Sequence, residues 1–366
     1  MAEPQEPPNS DPTFRSYTSS QAADYANSRL SYSAALYDTI LSYHSSTSGK
    51  FGTLLDVGCG PGNATRDLAS SFYHAIGIDP GEELMRAARE KGGKTLNGGE
   101  IKFYVSGAEE LEKVEALKEG SVDLLISAMA AHWFDMAKFW TIAAKIVKLD
   151  GTVAIWTCSS FYCHPVTPNA AAVQAILSNL EDNILAPFSN PGIDLTRHMY
   201  DQLPLPWTLS PPMASFPSSR YIRHEWDRNG HLSNGQDFFG GSDESTLAEI
   251  KKGLGTASMV TRWREAYSES VGMEKDCVKV TVEEIRRAMG MEGKLLEECK
   301  LRTGSSTALL LFKRHAHEFA MKPASARRPL PVTPELALDI QRAIAAFPPE
   351  HVQEPVEGEV IEGEGE

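Results

Sequence analysis

The sequence predicts an α/β fold in which helices cover both faces of a mainly parallel sheet. Apolar, strand-length segments alternate with helical segments between residues 53 and 158, a pattern typical of parallel sheets. A glycine-rich turn follows the first strand, and the alternation ends near residue 160. Ligands bind such sheets at the carboxyl ends of the strands, so the turn after the first strand is the expected binding place.

Five strands and four helices make up the predicted sheet region. A helix over residues 21–43 is indicated by aromatic and apolar residues at spacings of three and four. Three more helices alternate with the strands, and acidic residues in the first turn of the second one favour its start at Glu82. The predicted strands are 53–57, 74–78, 102–105, 122–127 and 152–158, and the three alternating helices are 64–71, 82–91 and 137–147.

Beyond residue 160 the pattern predicts a different organisation. Helices are expected at 169–185, 247–254, 259–266, 281–290 and 334–347, with a strand at 221–226 and a buried strand at 307–313. We therefore expect a mostly helical insertion that covers the substrate, followed by a return to the sheet. The predicted organisation is a disordered segment 1–15, a cofactor-binding domain with an N-terminal helix 16–160, an insertion 161–295, returning strands 296–320 and a C-terminal extension 321–366 with an acidic, disordered tail.

Composition limits the classes of partner. The chain has 366 residues and is 42% hydrophobic, so it can bury a sizeable core. Its formal net charge is -14, which disfavours binding to the negatively charged phosphate backbone of a nucleic acid. We expect no nucleic-acid partner. Neither a signal peptide nor an apolar run long enough to cross a bilayer is recognisable, which predicts a cytoplasmic protein without a membrane partner.

The five cysteines are scattered, and no two have C-x-x-C spacing. This arrangement predicts free thiols in a reducing compartment rather than disulfides or a zinc site. No metal ligands are therefore assigned.

The glycine turn follows the pattern Asp56-x-Gly58-x-Gly60-x-Gly62. Glycine lets the backbone turn tightly and lets a ligand approach closely. A dinucleotide fingerprint would need a glycine where the chain has Asn63. An acid before the turn repels a pyrophosphate but attracts an ammonium or a sulfonium group. The turn thus favours S-adenosylmethionine over a nicotinamide dinucleotide.

A second acid, Asp79, stands at the end of the second predicted strand and faces the same crevice. A carboxylate at that position can accept hydrogen bonds from both hydroxyls of a ribose. The alternative is that Asp79 is the N-cap of the helix that begins at Glu82. The combination with the glycine turn favours ribose binding.

These two segments resemble the first and second motifs of class I S-adenosylmethionine-dependent methyltransferases. The segment 54–62 reads LLDVGCGPG, and 77–89 reads GIDPGEELMRAAR. The resemblance implies a Rossmann-like sheet, with Asp79 on the ribose. It also implies a set of residues around the methionine part and the ribose: Asp56, Gly58, Gly60, Gly62, Pro80 and Met85.

In that family the loop after the third strand contacts the adenine. Many relatives carry an acid just before the alanine of this loop, whereas this chain has Gly107. The resemblance therefore leaves the adenine contact to the Ala108 backbone or to Glu109. Ala128, at the end of the fourth strand, is also assigned to the cofactor.

The segment AAHWFD at 130–135 resembles a narrower group, the fungal trans-aconitate methyltransferase-like enzymes with a methyltransferase type 11 domain. Tyr25 with Arg29, and the segment 259–267, are similar to two further segments of that group. The resemblance implies an acceptor site with these members: Tyr25, Arg29, Trp133, Arg262 and Trp263.

The candidate catalytic residue is His132, which follows the fourth strand. Its ordinary pKa of about 6.5 suits a general base. A carboxylate acceptor is already ionised and needs no base, whereas a phenol, with a pKa of about 10, does. The alternative is that His132 and Trp133 only wall the cofactor pocket. An anionic acceptor would further need arginines such as Arg220, Arg223 or Arg264.

The sequence therefore predicts a methyltransferase that acts on a small-molecule acceptor, with an oxygen of a carboxylate or a phenol, including those of secondary metabolites, as its target. Two alternatives from other classes remain. One is a methyltransferase fold that binds or catalyses without methyl transfer, and the other is an NAD(P)-dependent oxidoreductase. The oligomeric state is left open.

Overall fold

The computed structural model describes residues 32–315. Alternating helices and strands occur up to residue 163, as predicted. The strands are β1 (Thr53–Val57), β2 (His74–Asp79), β3 (Lys102–Val105), β4 (Val122–Ala128), β5 (Val147–Cys163), β6 (Ile222–Trp226), β7 (Asp243–Thr246) and β8 (Lys300–Lys313). The helices are α1 (Ala34–Ser46), α2 (Asn63–Ala69), α3 (Glu82–Lys91), α4 (Met136–Ile146), α5 (Ala170–Asn179), α6 (Pro191–Arg197), α7 (Leu247–Leu254), α8 (Ser258–Ala266) and α9 (Cys277–Ala288).

Within residues 32–315 the strands form one eight-stranded sheet in the order β3-β2-β1-β4-β5-β8-β6, with β7 also paired to β8. The first five strands pair with one another in parallel, and β8 runs antiparallel to β5, β6 and β7. The strand order reverses at β1, which is flanked by β2 and β4. This confirms the predicted α/β class and places the glycine turn at the point where ligands bind such sheets.

Two hydrophobic cores lie on the two faces of the sheet. Alternate residues of β1 divide between them, with Leu55 and Val57 in one core and Leu54 in the other, as expected for a strand that is covered on both faces. The helices α2 and α3 pack on the side of Leu54, whereas α4 packs on the side of Leu55. The sheet is therefore covered on both faces.

The segment between β5 and β8 has a hydrophobic core of its own, built from α5, α7, α8 and α9. Polar side chains begin two of these helices, since Thr246 caps α7 and Asp276 caps α9. The segment also supplies β6 and β7, which extend the central sheet. The predicted strand at 221–226 is thus present, but the insertion is less exclusively helical than expected.

Several predictions differ from the structure in their bounds. The first helix ends at Ser46 rather than residue 43, and the predicted part at 21–31 lies outside the described residues. The last strand begins at Lys300 rather than residue 307, because its polar first half pairs with β5 and β7. The segments predicted at 1–15 and 321–366 also lie outside the described residues. No helix within 32–315 is long and apolar enough to span a bilayer.

Candidate active site

The glycine turn after β1 requires glycine for backbone reasons. Gly58, Gly60 and Gly62 have φ values of 72°, 53° and 81°, in the left-handed region that favours glycine. The backbone N–H groups of Gly58 and Cys59 donate to the carbonyl of Ile78 at 2.8 and 3.0 Å, which ties the turn to the end of β2. A Cβ on Gly58 would collide with the side chain of Ala130. The turn therefore lies close to the loop that follows β4.

Asp79, at the end of β2, joins two turns. Its Oδ2 accepts from the N–H of Gly60 at 3.0 Å and its Oδ1 accepts from the N–H of Gly81 at 2.8 Å. The carboxylate is 8% exposed and lines the cavity described below. Gly81, and not Asp79, is the N-cap of α3. The alternative interpretation of Asp79 as that N-cap is therefore wrong.

Asp56 is fully buried beneath the turn. Its Oδ2 accepts from the hydroxyl of Thr65 at 2.6 Å, and within the described part of the chain Oδ1 has no hydrogen-bond partner. Burial raises the pKa of Asp56 to about 7, the hydrogen bond from Thr65 lowers it, and the charge of Asp79 raises it further. The structure thus places a carboxyl group that titrates near neutral pH directly under the glycine turn.

A cavity of about 530 Å³ opens at the carboxyl ends of the strands, within the size range of small-molecule sites. Most of the predicted cofactor and catalytic residues reach it. The predicted residues that line the cavity are Gly58, Gly60, Asp79, Pro80, Ala108, Glu109, Ala128, His132 and Trp133.

His132 lies in a short helical turn, Ala131–Trp133, that follows β4. Its side chain is buried, with the residue 6% exposed, although it contributes to the cavity wall. Nδ1 lies 2.7 Å from the hydroxyl oxygen of Tyr200, and the imidazole packs on Trp133 with ring centroids 4.6 Å apart. The ring is held from two sides, which suits both the catalytic and the wall interpretation.

Comparisons with known proteins agree with this geometry. Residues 55–155 match the family model described as a methyltransferase domain. The chain contains a methyltransferase domain. A Saccharomyces cerevisiae protein assigned as an S-adenosylmethionine-dependent methyltransferase is 32% identical over 40% of this chain and 46% of its own length. The methyltransferase cfoB of Aspergillus candidus is 26% identical over 70% of this chain and 84% of its own length.

A solved structure from Anaeromyxobacter dehalogenans, assigned as a type II methyltransferase, has the same fold. It aligns with a TM-score of 0.53 at 22% identity over 78% of this chain and 97% of its own length. The chain spans under half the length of several curated relatives that it matches. The matched region of the methyltransferase domain runs from β1 into β5 and holds the glycine turn, Asp79 and His132.

Three predicted cofactor residues of the methyltransferase domain do not line the cavity. Asp56 lies under the turn. Gly62 is the N-cap of α2 and faces the ring of Phe103, because its position is set by packing between the helix and the sheet. Met85 is buried in the core beneath α3, whereas its neighbour Leu84 faces the cavity, so the prediction was one residue out of phase on this helix.

Two predicted acceptor residues are also absent from the wall of the cavity. The Nε of Arg262 donates to the carbonyl of Phe188 at 2.8 Å, and Trp263 packs into the core of the insertion. Both lie on α8, whose buried apolar residues belong to the core of the insertion. Residues 256–258, just before and at the start of α8, line the cavity instead. Tyr25 and Arg29 lie outside the described residues.

The loop after β3 reaches the cavity through Gly107, Ala108 and Glu109. Oε1 of Glu109 accepts from the backbone N–H of Asp135 at 2.8 Å. The side chain that was expected to contact adenine therefore also anchors the loop that follows His132.

Sequence reasoning missed most of the wall that faces the glycine turn. These residues come from β5, α6, the loop before β7, the start of α8 and the first half of β8. They include Cys158, Phe161, Ile193, Thr196, Phe239, Asp243, Thr256, Ser258, Thr303, Ser305 and Thr307. Only β8 gave a signal, in the run of small polar residues 303–307 just before its apolar half.

The charges on the cavity wall are acidic. Asp79, Glu109 and Asp243 contribute to it, and none of the lining residues between 32 and 315 is a lysine or an arginine. Among the arginines considered for an anionic acceptor, Arg220, Arg223 and Arg264 are engaged elsewhere, and Arg29 lies outside the described residues. Arg220 pairs with Asp150. Arg223 binds the Met199 carbonyl and Asp201, and Arg264 binds Asp276. The described wall therefore offers no cation to a carboxylate.

Proposed function

We propose that the chain is an S-adenosylmethionine-dependent methyltransferase whose acceptor is a hydroxyl oxygen of an uncharged aromatic small molecule, with phenols as the best-matched class. One observation carries this proposal. A continuous cavity has the glycine turn and Asp79 on one side and a wall of hydroxyl groups and aromatic rings on the other. Cofactor and acceptor can thus share a single site.

The residues on the first side suit this cofactor. Asp79 is oriented by two backbone N–H groups, and a carboxylate has about four lone-pair positions, so it can also accept from ribose hydroxyls. The buried Oδ1 of Asp56, without a partner among the described residues, favours a positively charged group near the turn. When bound, S-adenosylmethionine supplies a methyl group on a sulfonium, which makes that methyl electrophilic.

The opposite side suits a neutral aromatic acceptor. Side-chain hydroxyls of Thr196, Ser258 and Thr303 line it together with the rings of Phe161 and Phe239. Aromatic rings provide apolar area for a flat molecule, and hydroxyl groups can donate to or accept from its polar substituents. A pocket that is mainly apolar with a few polar groups is typical of small-molecule sites.

A carboxylate acceptor is disfavoured by electrostatics. Burying an anion without a cation or several donors costs free energy, and the acidic wall would add repulsion from Asp243 and Glu109. A neutral phenol avoids both costs. The sequence gave the two acceptor classes equal weight, whereas the charges of the described wall favour the phenol.

A phenol requires loss of its proton as the oxygen is methylated, and His132 is the candidate base. It lies on the cavity at the carboxyl end of β4, next to the glycine turn. The chain's remaining contribution is positioning, since holding two reactants in line removes much of the entropic part of the barrier.

The test is incubation with isotope-labelled S-adenosylmethionine and matched acceptor pairs. Each pair consists of a phenol and the benzoate of the same ring, and products are read by mass. We expect methyl ethers from phenols and no methyl esters from benzoates. Esters formed in preference to ethers would overturn the acceptor class.

His132→Ala separates the two interpretations of this residue. A base predicts a large loss of kcat, about 100-fold or more, with little change in the Kd of S-adenosylhomocysteine. A wall residue predicts equal losses of both. If the wild-type chain binds the cofactor but releases no methylated product from any acceptor, a binding or non-methylating role replaces the proposal. Tighter binding of NAD than of S-adenosylmethionine would favour the oxidoreductase.

A further inference from the structure

We propose that an aromatic acceptor stacks its ring on Phe239, and that the buried carboxylate of Asp227 is the positioning residue that holds Phe239 in place for it. Both residues belong to the region after β6, where residues 227–242 form a segment that we call the β6–β7 loop. The inference rests on the proposed function, since it states how the same site holds its acceptor and which residue outside the cavity wall controls that contact.

Phe239 is the last of three aromatic rings that stack in a column. His224 and Trp226 lie two positions apart on β6, so their side chains project from the same face of the sheet. Their planes are 13° from parallel with ring centroids 5.4 Å apart, and Phe239 stacks on Trp226 from the other side. Among the described lining residues only Phe239 of these three contributes to the cavity. A flat ligand can therefore extend the column from the side of the Phe239 ring that Trp226 leaves open.

Asp227 holds the backbone of Phe239 through its carboxylate. The residue is 1% exposed, its Oδ2 accepts from the N–H of Phe239 at 2.5 Å, and its Oδ1 accepts from the N–H of Ser233 at 2.7 Å. The Asp227 N–H donates in turn to the hydroxyl of Ser233 at 2.6 Å, and the hydroxyl of Ser306 on β8 donates to the Asp227 carbonyl. Hydrogen bonds to a charged acceptor are among the strong ones in proteins. One buried carboxylate thus fixes two points of the β6–β7 loop.

The residue before Phe239 anchors the loop to the sheet independently of this carboxylate. A Cβ on Gly304 of β8 would lie 2.3 Å from the ring of Phe238, so the missing side chain makes room for that ring. His164 packs on the same ring with centroids 5.9 Å apart. We therefore expect the loop to stay on the sheet when the Asp227 carboxylate is altered, and the change to be felt at Phe239.

A stacked acceptor makes a prediction about ring size. Stacked rings gain free energy from the apolar area that they bury and from their offset arrangement. A fused two-ring phenol such as 2-naphthol offers more area to Phe239 than phenol does. We expect the wild-type chain, saturated with S-adenosylhomocysteine, to bind 2-naphthol about 3- to 10-fold more tightly than phenol in calorimetry.

Asp227→Asn tests the positioning role. An amide replaces one carboxylate oxygen with a donor, so the N–H of Ser233 or of Phe239 loses its acceptor. We expect the Kd of 2-naphthol to rise about 3- to 10-fold and the Kd of S-adenosylhomocysteine to stay unchanged. Asp276→Asn is the matched control, because Asp276 is also 1% exposed and accepts from backbone N–H groups away from the cavity. It should leave the Kd of 2-naphthol unchanged.

A double variant separates positioning from a merely structural role. If Asp227 acts through Phe239, Asp227→Asn combined with Phe239→Leu should show the Kd of Phe239→Leu alone, because the contact that Asp227 positions is already gone. Additive losses would overturn the proposal. Should Asp227→Asn not fold, Ser233→Ala is the milder variant, since it removes only the hydroxyl that accepts from the Asp227 N–H. We then expect about a two-fold rise in the Kd of 2-naphthol, and an unchanged Kd would refute the role of Asp227.

The two proposals fail in different ways. A wild-type chain that binds 2-naphthol no more tightly than phenol would overturn stacking on Phe239, even if both are methylated. An unchanged Kd of 2-naphthol in Asp227→Asn would remove Asp227 from the site in the same circumstances. If 2-naphthol binds as expected and the variant weakens it, but no acceptor is methylated, the proposed reaction is wrong while the aromatic subsite stands.

Discussion

The two walls of the cavity are built in different ways. The cofactor wall comes from the turns directly after β1 and β2, where left-handed glycines and Asp79 define the backbone. The acceptor wall is assembled from side chains far apart in the chain, such as Phe161 on β5, Phe239 before β7 and Thr303 on β8. A wall made by local backbone geometry leaves a compact motif in the sequence, whereas a wall made by long-range pairing leaves almost none.

The difference also concerns what each wall tolerates. Backbone turns that are packed against a neighbouring loop have little room for a side chain, as at Gly58. On the acceptor wall, Gly240 and Gly241 have no atoms within 4 Å of an added Cβ, whereas Gly304 on β8 is packed against Phe238. We therefore expect the cofactor wall to be intolerant of substitution, and the loop at 240–241 of the acceptor wall to accept changes that alter specificity.

The largest predicted effect is the difference in stability between two glycine substitutions, one on each wall. Gly58→Ala and Gly241→Ala both place a side chain at positive φ, 72° and 86°, but only Gly58 also meets a neighbouring side chain. We expect a loss of about 3 kcal/mol in the free energy of unfolding for Gly58→Ala and about 1 kcal/mol for Gly241→Ala, measured by urea denaturation. Equal losses would show that the two walls do not differ in packing.

Asp79→Asn tests the link between the two turns of the cofactor wall. An amide replaces one carboxylate oxygen with a donor, so one of the N–H groups of Gly60 and Gly81 loses its acceptor. We expect the Kd of S-adenosylhomocysteine to rise about 100-fold, or about 2.7 kcal/mol, by calorimetry.

The control is Asp276→Asn, since Asp276 is also buried and accepts from the N–H groups of Val278 and Lys279 away from the cavity. It should reduce the melting temperature and leave the Kd unchanged. An unaltered Kd for Asp79→Asn would remove this residue from the cofactor site.

Asp56 should make stability depend on pH. Its pKa is about 7 in the folded chain and about 4 when unfolded, so the folded state binds the proton more tightly. This contribution is complete below pH 4 and is lost as the pH rises through 7. We expect the free energy of unfolding to fall by on the order of 2 kcal/mol between pH 5 and 8 from this group.

Asp56→Asn should flatten that dependence in urea titrations at several pH values. Asp243→Asn is the matched control on the acceptor wall, because Asp243 is exposed, and it should keep the wild-type slope. A wild-type slope in Asp56→Asn would mean that the carboxyl under the turn does not titrate in this range.

The smallest effect is expected at the acceptor wall. Phe239 stacks on Trp226 with ring centroids 3.7 Å apart and planes 3° from parallel. Phe239→Leu removes the aromatic face, and we expect the KM of an aromatic acceptor to rise about five-fold, corresponding to about 1 kcal/mol. The Kd of S-adenosylhomocysteine should not change.

Phe238→Leu is the neighbouring control, because Phe238 is buried and absent from the described cavity wall. It should affect stability and leave KM unchanged. A rise in the Kd of S-adenosylhomocysteine in Phe239→Leu would show that Phe239 also contributes to the cofactor wall.

The sequence was most informative where structure is local. The glycine turn and Asp79 were predicted correctly as neighbours, because a strand, a turn and a helix follow one another within 30 residues. The class of fold followed from the alternation of the elements. Finer detail failed even here, since a one-residue error on α3 exchanged Met85 for Leu84.

Pairing between strands that are far apart in the chain could not be predicted from the sequence in the same way. Nothing near Thr303 indicates that this half of β8 lies beside Tyr162 and Cys163 of β5 and also pairs with β7. Arg262 and Trp263 were placed by resemblance, yet the packing of α8 turns both away from the cavity.

The position of β8 in the chain has a consequence during synthesis. This strand pairs with β5, β6 and β7 and brings residues 303–307 to the cavity, but 240 positions separate Gly60 from Lys300. At about 5–20 residues per second, a ribosome produces β8 roughly 10–50 s after the glycine turn. A nascent chain can therefore form its nucleotide-binding turns long before it can enclose an acceptor, and the edge of β5 stays exposed to chaperones and to other chains in that interval.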